Sequence, residues 1–586
     1  MNTPASAVTV FVDDSTGCEG PDLSGPNLYE WARLVAEDQV PVADSIVHLQ
    51  ARALRPWAQS TRAFYGHYLN WAFKRIADIS EERVKVNLIR SRAVALEDAP
   101  DGRQLLWLQD ISTPIHADAV VLTQGHFDVA PTAEEQRLAD FADAHGLCYL
   151  PPANAADVDT AVVPAGASVI IRGLGLCFFD YVALLTADRG GRFVRERRGL
   201  TYRPSGHEPI IYAGSGRGVP HLARADDRSP STTTFRPRFF NAAAVNRLRE
   251  RAGEGTNDFL RDVWPLVAKE VCWSYYSHLL AHSTALTDGD WFAAEYAAAQ
   301  WDSERMRRLI STAFPDPSTR WDWERERQPS QGIDFADRQA YHAWVLARLR
   351  QDVAESAPGT VHSARRAATA TLRSLREQVR QAISHRGISG TSYRQHVDGW
   401  FSGLTNSLVA GPPAFRVEQL AALAEADVVR FIGARMRVAA DEANGAFVVR
   451  SAQPKGDPLC ARTLIDARLP VTDIRRSADP LISMLLYTGG CRPHVIPNAD
   501  GSEYVTGGLD VAEHEFRVIQ ADGAPHPRRF AFGPPVKWAQ GAFGSTIQVG
   551  LRQADVIARQ ALETAKVLRS TTGSQPPASD HPHTTS

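Results

Sequence analysis

The sequence predicts an α/β protein in which buried parallel strands alternate with helices, and three observations support this prediction. Two short runs, residues 119–122 and 169–171, are apolar at every position, as expected of strands covered on both faces. Each run leads into a glycine-containing turn, and the second continues into a helical pattern. The composition changes at about residues 235 and 432, which divides the chain into an α/β zone, a helical zone and a second zone with strands.

The first zone also contains an aromatic helix and a predicted hairpin. In residues 62–71, Phe64, Tyr68 and Trp71 recur at the spacing of one helical face, which indicates a packed aromatic stripe. Asp101-Gly102 is a typical hairpin turn between two apolar runs. The strands predicted in this stretch are residues 84–89, 93–96 and 104–108.

The helical zone, residues 236–432, is rich in aromatic side chains. Residues 259–280 and 364–384 have apolar positions at helical spacing, which predicts two helices. Arginines decorate the second helix, and we interpret them as a solvated basic face, with contact to an anion as the alternative. These arginines are Arg365, Arg366, Arg373, Arg376 and Arg380. Residues 433–562 return to strands, turns and a last helix, and the Pro/Ser/Thr-rich tail from Ser570 is predicted to be disordered.

The composition excludes several classes of protein. Of the 586 residues, 44% are hydrophobic and 22% charged, which is typical of a soluble globular chain. The net charge of −3 gives no electrostatic reason to expect nucleic acid or an anionic membrane as partner. Six cysteines without C-x-x-C spacing predict free thiols in the cytoplasm. The most apolar window, residues 168–187, contains Arg172 and Asp180, which argues against a membrane span.

Three segments carry candidate binding residues. After the strand at 119–122 come Thr123, Gln124 and Gly125, where glycine permits close approach to a ligand or forms an ordinary turn. After the strand at 169–171 comes Gly173-x-Gly175 and a helix, the arrangement that places a pyrophosphate at a helix N-terminus.

The third segment, residues 533–555, combines a Gly-Pro-Pro turn, a glycine-spaced loop and a helix, which fits a loop against a flat ligand or a mobile loop. Phe178 occupies the position of the third glycine in the second segment, so that signal is incomplete. The chain has no H-E-x-x-H, G-x-S-x-G or G-x-x-x-x-G-K-[ST] motif, so metal catalysis, hydrolysis and phosphate-loop chemistry are not expected.

The order of these segments resembles large FAD/NAD(P)-binding proteins of actinobacteria, which are relatives of flavin-dependent N-hydroxylating and Baeyer–Villiger-type monooxygenases. The resemblance covers nearly the whole chain. It is densest in residues 1–15, 25–32, 61–73, 117–132, 172–186 and 201–220 and in the C-terminal stretches 525–535 and 541–555.

The resemblance implies a Rossmann-like FAD/NAD(P)-binding fold that is discontinuous and carries a large helical insertion. The expected units are an FAD-binding part (1–164), an NAD(P)-binding segment (165–235), the insertion (236–432), a returning FAD-binding part (433–569) and the tail (570–586). The implied function is an FAD-dependent, NAD(P)H-using oxidoreductase of monooxygenase type that acts on a small molecule.

The resemblance also implies which residues line the cofactors. Gly173 and Gly175 are expected beside NAD(P)H, and no catalytic acid or base is assigned. The residues expected beside the flavin are Asn2, Thr3, Thr123, Gln124, Gly125, Gly541 and Ser545.

In one respect the sequence departs from the family pattern. The family begins with a strand and a G-x-G-P-R-G turn, whereas Met1-Asn2-Thr3 aligns with an internal Met-Asn-Thr. We therefore expect either that the reading frame continues upstream of Met1, or that the chain is truncated and holds FAD poorly. Two further alternatives remain open: a flavoprotein-like binding or scaffold protein, and a flavin dehydrogenase or oxidase.

Overall fold

A computed structural model of the protein describes most of the chain. The described residues are 3–13, 16–21, 23–80, 83–197, 199–224, 235–252, 256–282, 289–356, 363–540 and 547–572. Of the predicted site residues, Asn2, Gly541 and Ser545 lie outside these ranges, as does most of the tail from Ser570. Within the described residues, every helix is too short or too polar to cross a lipid bilayer.

The first zone alternates strands and helices as the sequence predicts. Its elements in chain order are α1 (Leu28–Ala36), α2 (Ser45–Ala53), α3 (Arg62–Ser80), β1 (Ala93–Asp98), β2 (Gln104–Leu108), β3 (Ile111–Ala117), β4 (Val120–Leu122), α4 (Ala133–His145), β5 (Cys148–Leu150), β6 (Ser168–Arg172), α5 (Leu176–Leu185), β7 (Arg192–Glu196), β8 (Gly199–Arg203) and β9 (Ile210–Gly214).

The helical zone follows β9 and ends at a return to the same sheet. Its helices are α6 (Ala242–Glu250), α7 (Trp264–Ala281), α8 (Gly289–Ala298), α9 (Glu304–Ala313), α10 (Trp323–Arg327), α11 (Arg338–Ser356), α12 (Ala364–Ser374), α13 (Arg376–Ile383), α14 (Gly390–Ser392), α15 (Ser402–Val409) and α16 (Ala414–Glu425). Two segments, Phe259–Val263 and Tyr393–Phe401, are wound as π-helix, a rare form that is frequent at functional sites.

The last zone returns to strands and closes with a long helix. Its elements are β10 (Val429–Gly433), β11 (Arg437–Asp441), β12 (Ala446–Arg450), β13 (Leu459–Ala461), β14 (Thr463–Asp466), α17 (Pro480–Tyr487), β15 (Pro493–Pro497), β16 (Glu503–Leu509), β17 (Arg517–Ile519), β18 (Pro525–Ala531) and α18 (Ile547–Thr572).

The largest sheet is five-stranded with the order β10-β9-β6-β14-β5, and its paired strands are parallel. The central strand β6 is buried at Val169, Ile170 and Ile171, as its continuous apolar run predicts. From β6 the chain continues to β9 and β10 on one side of the sheet, whereas β14 and β5 lie on the other side. Open α/β sheets bind their ligands at such a change of direction, here between β6 and β14.

A second sheet has the order β17-β18-β4, and in it β4 and β18 run parallel although about 400 residues separate them. The first and last zones of the chain therefore meet in one sheet, as a discontinuous fold requires. The predicted hairpin is confirmed, since β1 and β2 pair in antiparallel fashion and Gly102 has φ +82°. The aromatic stripe is also confirmed: Phe64 and Tyr68 are buried against Trp31 of α1.

Three expectations from the sequence are wrong. Residues 84–89 form no strand but an exposed extended segment, with Leu88 76% exposed. The helix predicted at 364–384 is two helices that meet at Leu375. The arginines of this stretch do not form a solvated face: Arg366 is only 2% exposed and pairs with Asp352, while Arg365 pairs with Glu326. In each case the sequence has the expected local pattern. Whether a strand pairs, a helix continues or a side chain is buried depends on the segments that pack against it.

Candidate functional site

The turn between β6 and α5 is the candidate site for the nicotinamide nucleotide. Gly173 follows the central strand and has φ +122°, a conformation open to glycine but strained for other residues. Gly175 is the N-cap of α5, so the first backbone N–H groups and the positive end of the helix dipole lie beside the turn. The structure therefore brings the two predicted glycines to the point where the strand order reverses.

Protein atoms surround this turn closely. A Cβ at Gly173 would lie 2.9 Å from the backbone oxygen of Ala467, which follows β14. A Cβ at Gly175 would lie 3.1 Å from Cε1 of His221. Burial and the charge of Arg217 lower the pKa of His221 to about 4, so this imidazole is neutral at physiological pH. Gly173 is thus required by its backbone conformation and by the Ala467 carbonyl, whereas a side chain at Gly175 would only press on the His221 ring.

The two arginines nearest this turn in sequence are held by the protein itself. Arg172 pairs with the buried carboxylate of Asp466 and with Glu134, and Tyr149 Oη also donates to Asp466 at 2.8 Å. Arg189 donates to backbone carbonyls of Thr160, Val163 and His207. These bonds fix the strand ends of the sheet, so neither side chain is a ready phosphate ligand.

The loop after β4 is the candidate flavin-side segment. Thr123 is exposed, and Gln124 donates through Nε2 to Asp479 Oδ1 at 3.0 Å. Asp479 is the N-cap of α17, so Gln124 ties this loop to a helix start. Gly125 has φ +66°, and no atom lies within 4 Å of where its Cβ would be. Gln124 therefore has a structural partner, whereas Gly125 borders open space.

A cluster of charged groups adjoins Gly125. Lys537 follows β18. Partial burial, together with the charge of Lys537, lowers the pKa of His126. Burial lowers the pKa of Lys537, opposed by the charge of Asp398. Desolvation raises the pKa of Asp398, whose Oδ2 accepts from Tyr504 Oη at 3.0 Å. We call Lys537, Asp398, Tyr504 and His126 the flavin-side cluster.

The flavin-side cluster was not predicted from the sequence. Asp398 belongs to the π-helix Tyr393–Phe401 and Tyr504 to β16, so only folding brings them to the Gly125 loop. Two members had a signal: His126 follows Gly125 in the resembling segment 117–132, and Lys537 lies in the segment 533–555 with its Gly-Pro-Pro turn.

The start of the chain meets the segment that follows β18. The backbone N–H groups of Glu19 and Gly20 donate to the carboxylate of Asp555 on α18 at 3.1 and 3.0 Å. Thr3 is half-buried just before a 3₁₀ turn, Ala5–Ala7, which packs against α1. Glu19 and Gly20 are thus anchored to α18, whereas the turn next to Thr3 is held by hydrogen bonds from Ala5 and Ser6 to the backbone of residues 58 and 56.

Two features of this region fit a bound flavin. Gly533, which follows β18, has φ +94° and, like Gly125, has open space where its Cβ would be. Gln540 is buried, and its Nε2 has no hydrogen-bond partner among the described residues. An unpartnered buried donor in the segment that follows β18 suits a ligand that supplies polar acceptors.

A parallel five-stranded sheet and a mixed three-stranded sheet, each with a glycine turn after a strand, are an arrangement typical of proteins that bind FAD or NAD(P). A family model described as FAD-NAD(P)-binding matches residues 1–127, which include β4 and Gly125. The chain is also 42% identical over 574 residues to an L-aspartate N-monooxygenase (nitrosuccinate-forming) of Streptomyces cremeus, with 95% of this chain and 85% of that protein covered.

Two further relatives agree. An L-aspartate N-monooxygenase (nitrosuccinate-forming) of Streptomyces davaonensis is 41% identical, with 96% of this chain and 88% of that protein covered. A nitrosuccinic acid synthase of Aspergillus oryzae is 40% identical, with 96% of this chain and 84% of that protein covered. The chain therefore belongs to the family of these flavin-dependent N-hydroxylating monooxygenases. It is a monooxygenase-type oxidoreductase that uses FAD and NAD(P)H and acts on a small molecule.

Proposed function

We propose that this protein N-hydroxylates L-aspartate and carries the oxidation towards nitrosuccinate. The observation that supports this most is the identity of 40–42% over nearly the whole chain to three proteins whose names state that activity. FAD reduced by NAD(P)H supplies the oxygen-activating chemistry, and the protein's part is to bind and orient the two nucleotides and the amino acid.

We assign the flavin side to the loop after β4, to Thr3 with Asn2, and to the segment after β18 with Gly541 and Ser545. The bonds between the N-terminal segment and Asp555 support this assignment, because they anchor the start of the chain to the helix after that segment. We assign NAD(P)H to Gly173 and Gly175. These glycines supply backbone N–H groups and a helix N-terminus, and no arginine of the turn is required.

The flavin-side cluster suits an amino acid with a second carboxylate. The Lys537 ammonium would hold a substrate carboxylate, since a charge-assisted hydrogen bond in a partly desolvated cleft is strong. Asp398 would accept a hydrogen bond from the substrate amino group. The Tyr504 hydroxyl orients the Asp398 carboxylate by donating to its Oδ2 at 3.0 Å. The cluster thereby positions the nitrogen that is to be hydroxylated.

The test is L-aspartate-dependent NAD(P)H oxidation with detection of nitrosuccinate by mass spectrometry. We expect Lys537→Met and Asp398→Asn each to lower kcat/KM for L-aspartate about 100-fold, equivalent to ~2.7 kcal/mol. Lys74→Met is the control. Lys74 lies on the exposed face of α3, so this variant should keep the wild-type kcat/KM for L-aspartate. If the rate of NAD(P)H oxidation by the wild-type enzyme does not change when L-aspartate is added, the proposed substrate is refuted.

The pH dependence gives a second check on Lys537. The lysine must be protonated to hold a carboxylate, and burial places its pKa below the usual 10.5. The KM for L-aspartate should therefore be low at neutral pH and rise as the pH passes through this lowered pKa. In Lys537→Met the rise should disappear. A wild-type KM that stays flat to pH 10.5 would remove Lys537 from the binding site.

A further inference from the structure

A second polar cavity lies in the helical zone, between the chain after β9, helix α11 and the start of α12. Its volume is about 340 Å³, within the range of small-molecule sites of roughly 300–1,000 Å³. We call it the arginine chamber, because Arg320, Arg325, Arg348 and Arg365 line it. His221 also lines it, so the chamber begins behind the Gly175 turn.

Part of the charge in the chamber is neutralised within the protein. Arg365 donates to both oxygens of Glu326, at 3.0 and 2.8 Å. Arg366, just behind the wall, pairs with Asp352, which also accepts from the backbone N–H of Ala223 at 2.6 Å. These pairs brace α11 and α12 and need no ligand.

Among the described residues, Arg348 has no carboxylate partner and three buried atoms of the chamber wall make no hydrogen bond. One of these atoms, Glu355 Oε2, still lies within ion-pair distance of Arg365 Nη1, at 3.8 Å. Arg348 stacks on Trp344, with its Cζ 5.1 Å from the ring centroid, but has no carboxylate within ion-pair distance among the described residues. Burial and the charge of Arg365 lower the pKa of Arg348, opposed by the charges of Glu326, Asp352 and Glu355. Within the described part of the chain, three buried atoms on the wall make no hydrogen bond: Nδ1 of His221, Nε1 of Trp321 and Oε2 of Glu355.

These groups specify a ligand with both signs of charge. Arg348, Trp321 and neutral His221 offer donors to a carboxylate, whereas Glu355 Oε2 offers an acceptor to an ammonium group. Arg348 and Glu355 are seven residues apart on α11, so both project from the same face of that helix. A nucleotide phosphate would satisfy the donors, but it would place negative charge beside Glu355 and leave Glu355 Oε2 without a hydrogen bond.

The chamber is separate from the flavin-side cluster. Four indole rings in succession lead from the π-helix of Asp398 to the chamber wall: Trp400, Trp264, Trp323 and Trp321. Their centroids are 4.8, 4.7 and 5.1 Å apart. This aromatic wall lies between the two polar regions.

We propose that the arginine chamber binds a zwitterionic amino acid, with its carboxylate on Arg348 and its ammonium group on Glu355. The site is additional to the one in which hydroxylation occurs. The choice of L-aspartate as the probe rests on the proposed function, but the chamber's chemistry does not.

The experiment is calorimetric titration of the flavin-loaded enzyme in a Lys537→Met background, which weakens the flavin-side site. We expect this variant still to bind one L-aspartate. Adding Arg348→Met should weaken that binding at least tenfold. Adding Arg350→Met is the matched control, because Arg350 lies on the outer face of α11 and pairs with Glu425. Flavin content and the thermal midpoint show that each variant is folded.

Glu355→Gln separates the two ends of the ligand. Glu355→Gln should weaken the binding of L-aspartate at least tenfold. The binding of succinate, which lacks the ammonium group, should stay unchanged or become tighter. Equal L-aspartate binding in the Arg348→Met and Arg350→Met variants would overturn the proposal. So would a tenfold loss of NADP⁺ affinity in Arg348→Met with L-aspartate binding retained, since the chamber would then serve a nucleotide phosphate. Failure of L-aspartate turnover would refute the proposed function and leave these titrations interpretable.

Discussion

The two glycine turns that follow parallel strands differ in what surrounds them. At the turn after β6, a side chain on Gly173 would meet the Ala467 carbonyl and one on Gly175 would meet His221. At the turn after β4, a side chain on Gly125 would meet no atom within 4 Å. The first turn is fixed by the protein's own packing, and the second borders open space. The same sequence signal, glycine after an apolar strand, therefore serves two physical purposes.

The largest effect is expected at the crowded turn. Gly173→Ala must adopt φ +122° and place its Cβ 2.9 Å from a backbone oxygen. Backbone strain and overpacking together should lower the free energy of unfolding by about 3 kcal/mol or more. Urea denaturation measures this loss. Gly166→Ala, with φ +69° and open space, carries the backbone strain alone and should lose about 1 kcal/mol. Equal losses would show that the Ala467 contact is unimportant.

At the open turn, the expected effect is on the cofactor rather than on the fold. Gly125→Val should cost about 1–2 kcal/mol of unfolding free energy through its left-handed backbone, and flavin content should fall steeply. Gly146→Val is the matched control, since Gly146 has φ +60°, open surroundings and a place at the end of α4. It should lose similar stability and keep its flavin. If Gly125→Val retains its flavin as well, this glycine serves only the turn.

The smallest effect is expected at Gly175, whose φ of −89° suits any residue. In Gly175→Ala, His221 must move by a few tenths of an ångström, and the added methyl would lie at the proposed site of the nucleotide phosphates. The KM for NAD(P)H should rise roughly tenfold, or about 1.4 kcal/mol, with flavin content unchanged. The double variant Gly175→Ala, His221→Ala removes the clash. A KM that returns to the wild-type value there would assign the glycine to packing against His221 and not to the nucleotide.

Predictions from the sequence succeeded where a signal is local. The continuous apolar run of β6, the hairpin glycine at 102 and the stripe of Phe64 and Tyr68 each depend on neighbouring residues in the chain. They failed where a distant partner decides. Residues 84–89 have the composition of a strand, but a strand exists only where a second backbone pairs with it, and none pairs here among the described residues.

The sequence by itself determined the α/β class, the central strand with its glycine turn, and the resemblance to FAD/NAD(P)-binding monooxygenases. Local periodicity and ordered motifs are sufficient for these. Only the tertiary structure decided that Asp398, Tyr504 and Lys537 form one cluster and that Arg365 and Arg366 are turned inwards to carboxylates. Such groups are more than 30 residues apart in sequence or on different elements. Their charges therefore interact only after the backbone has packed. Contacts of this kind produce no repeating pattern in the sequence from which they could be predicted.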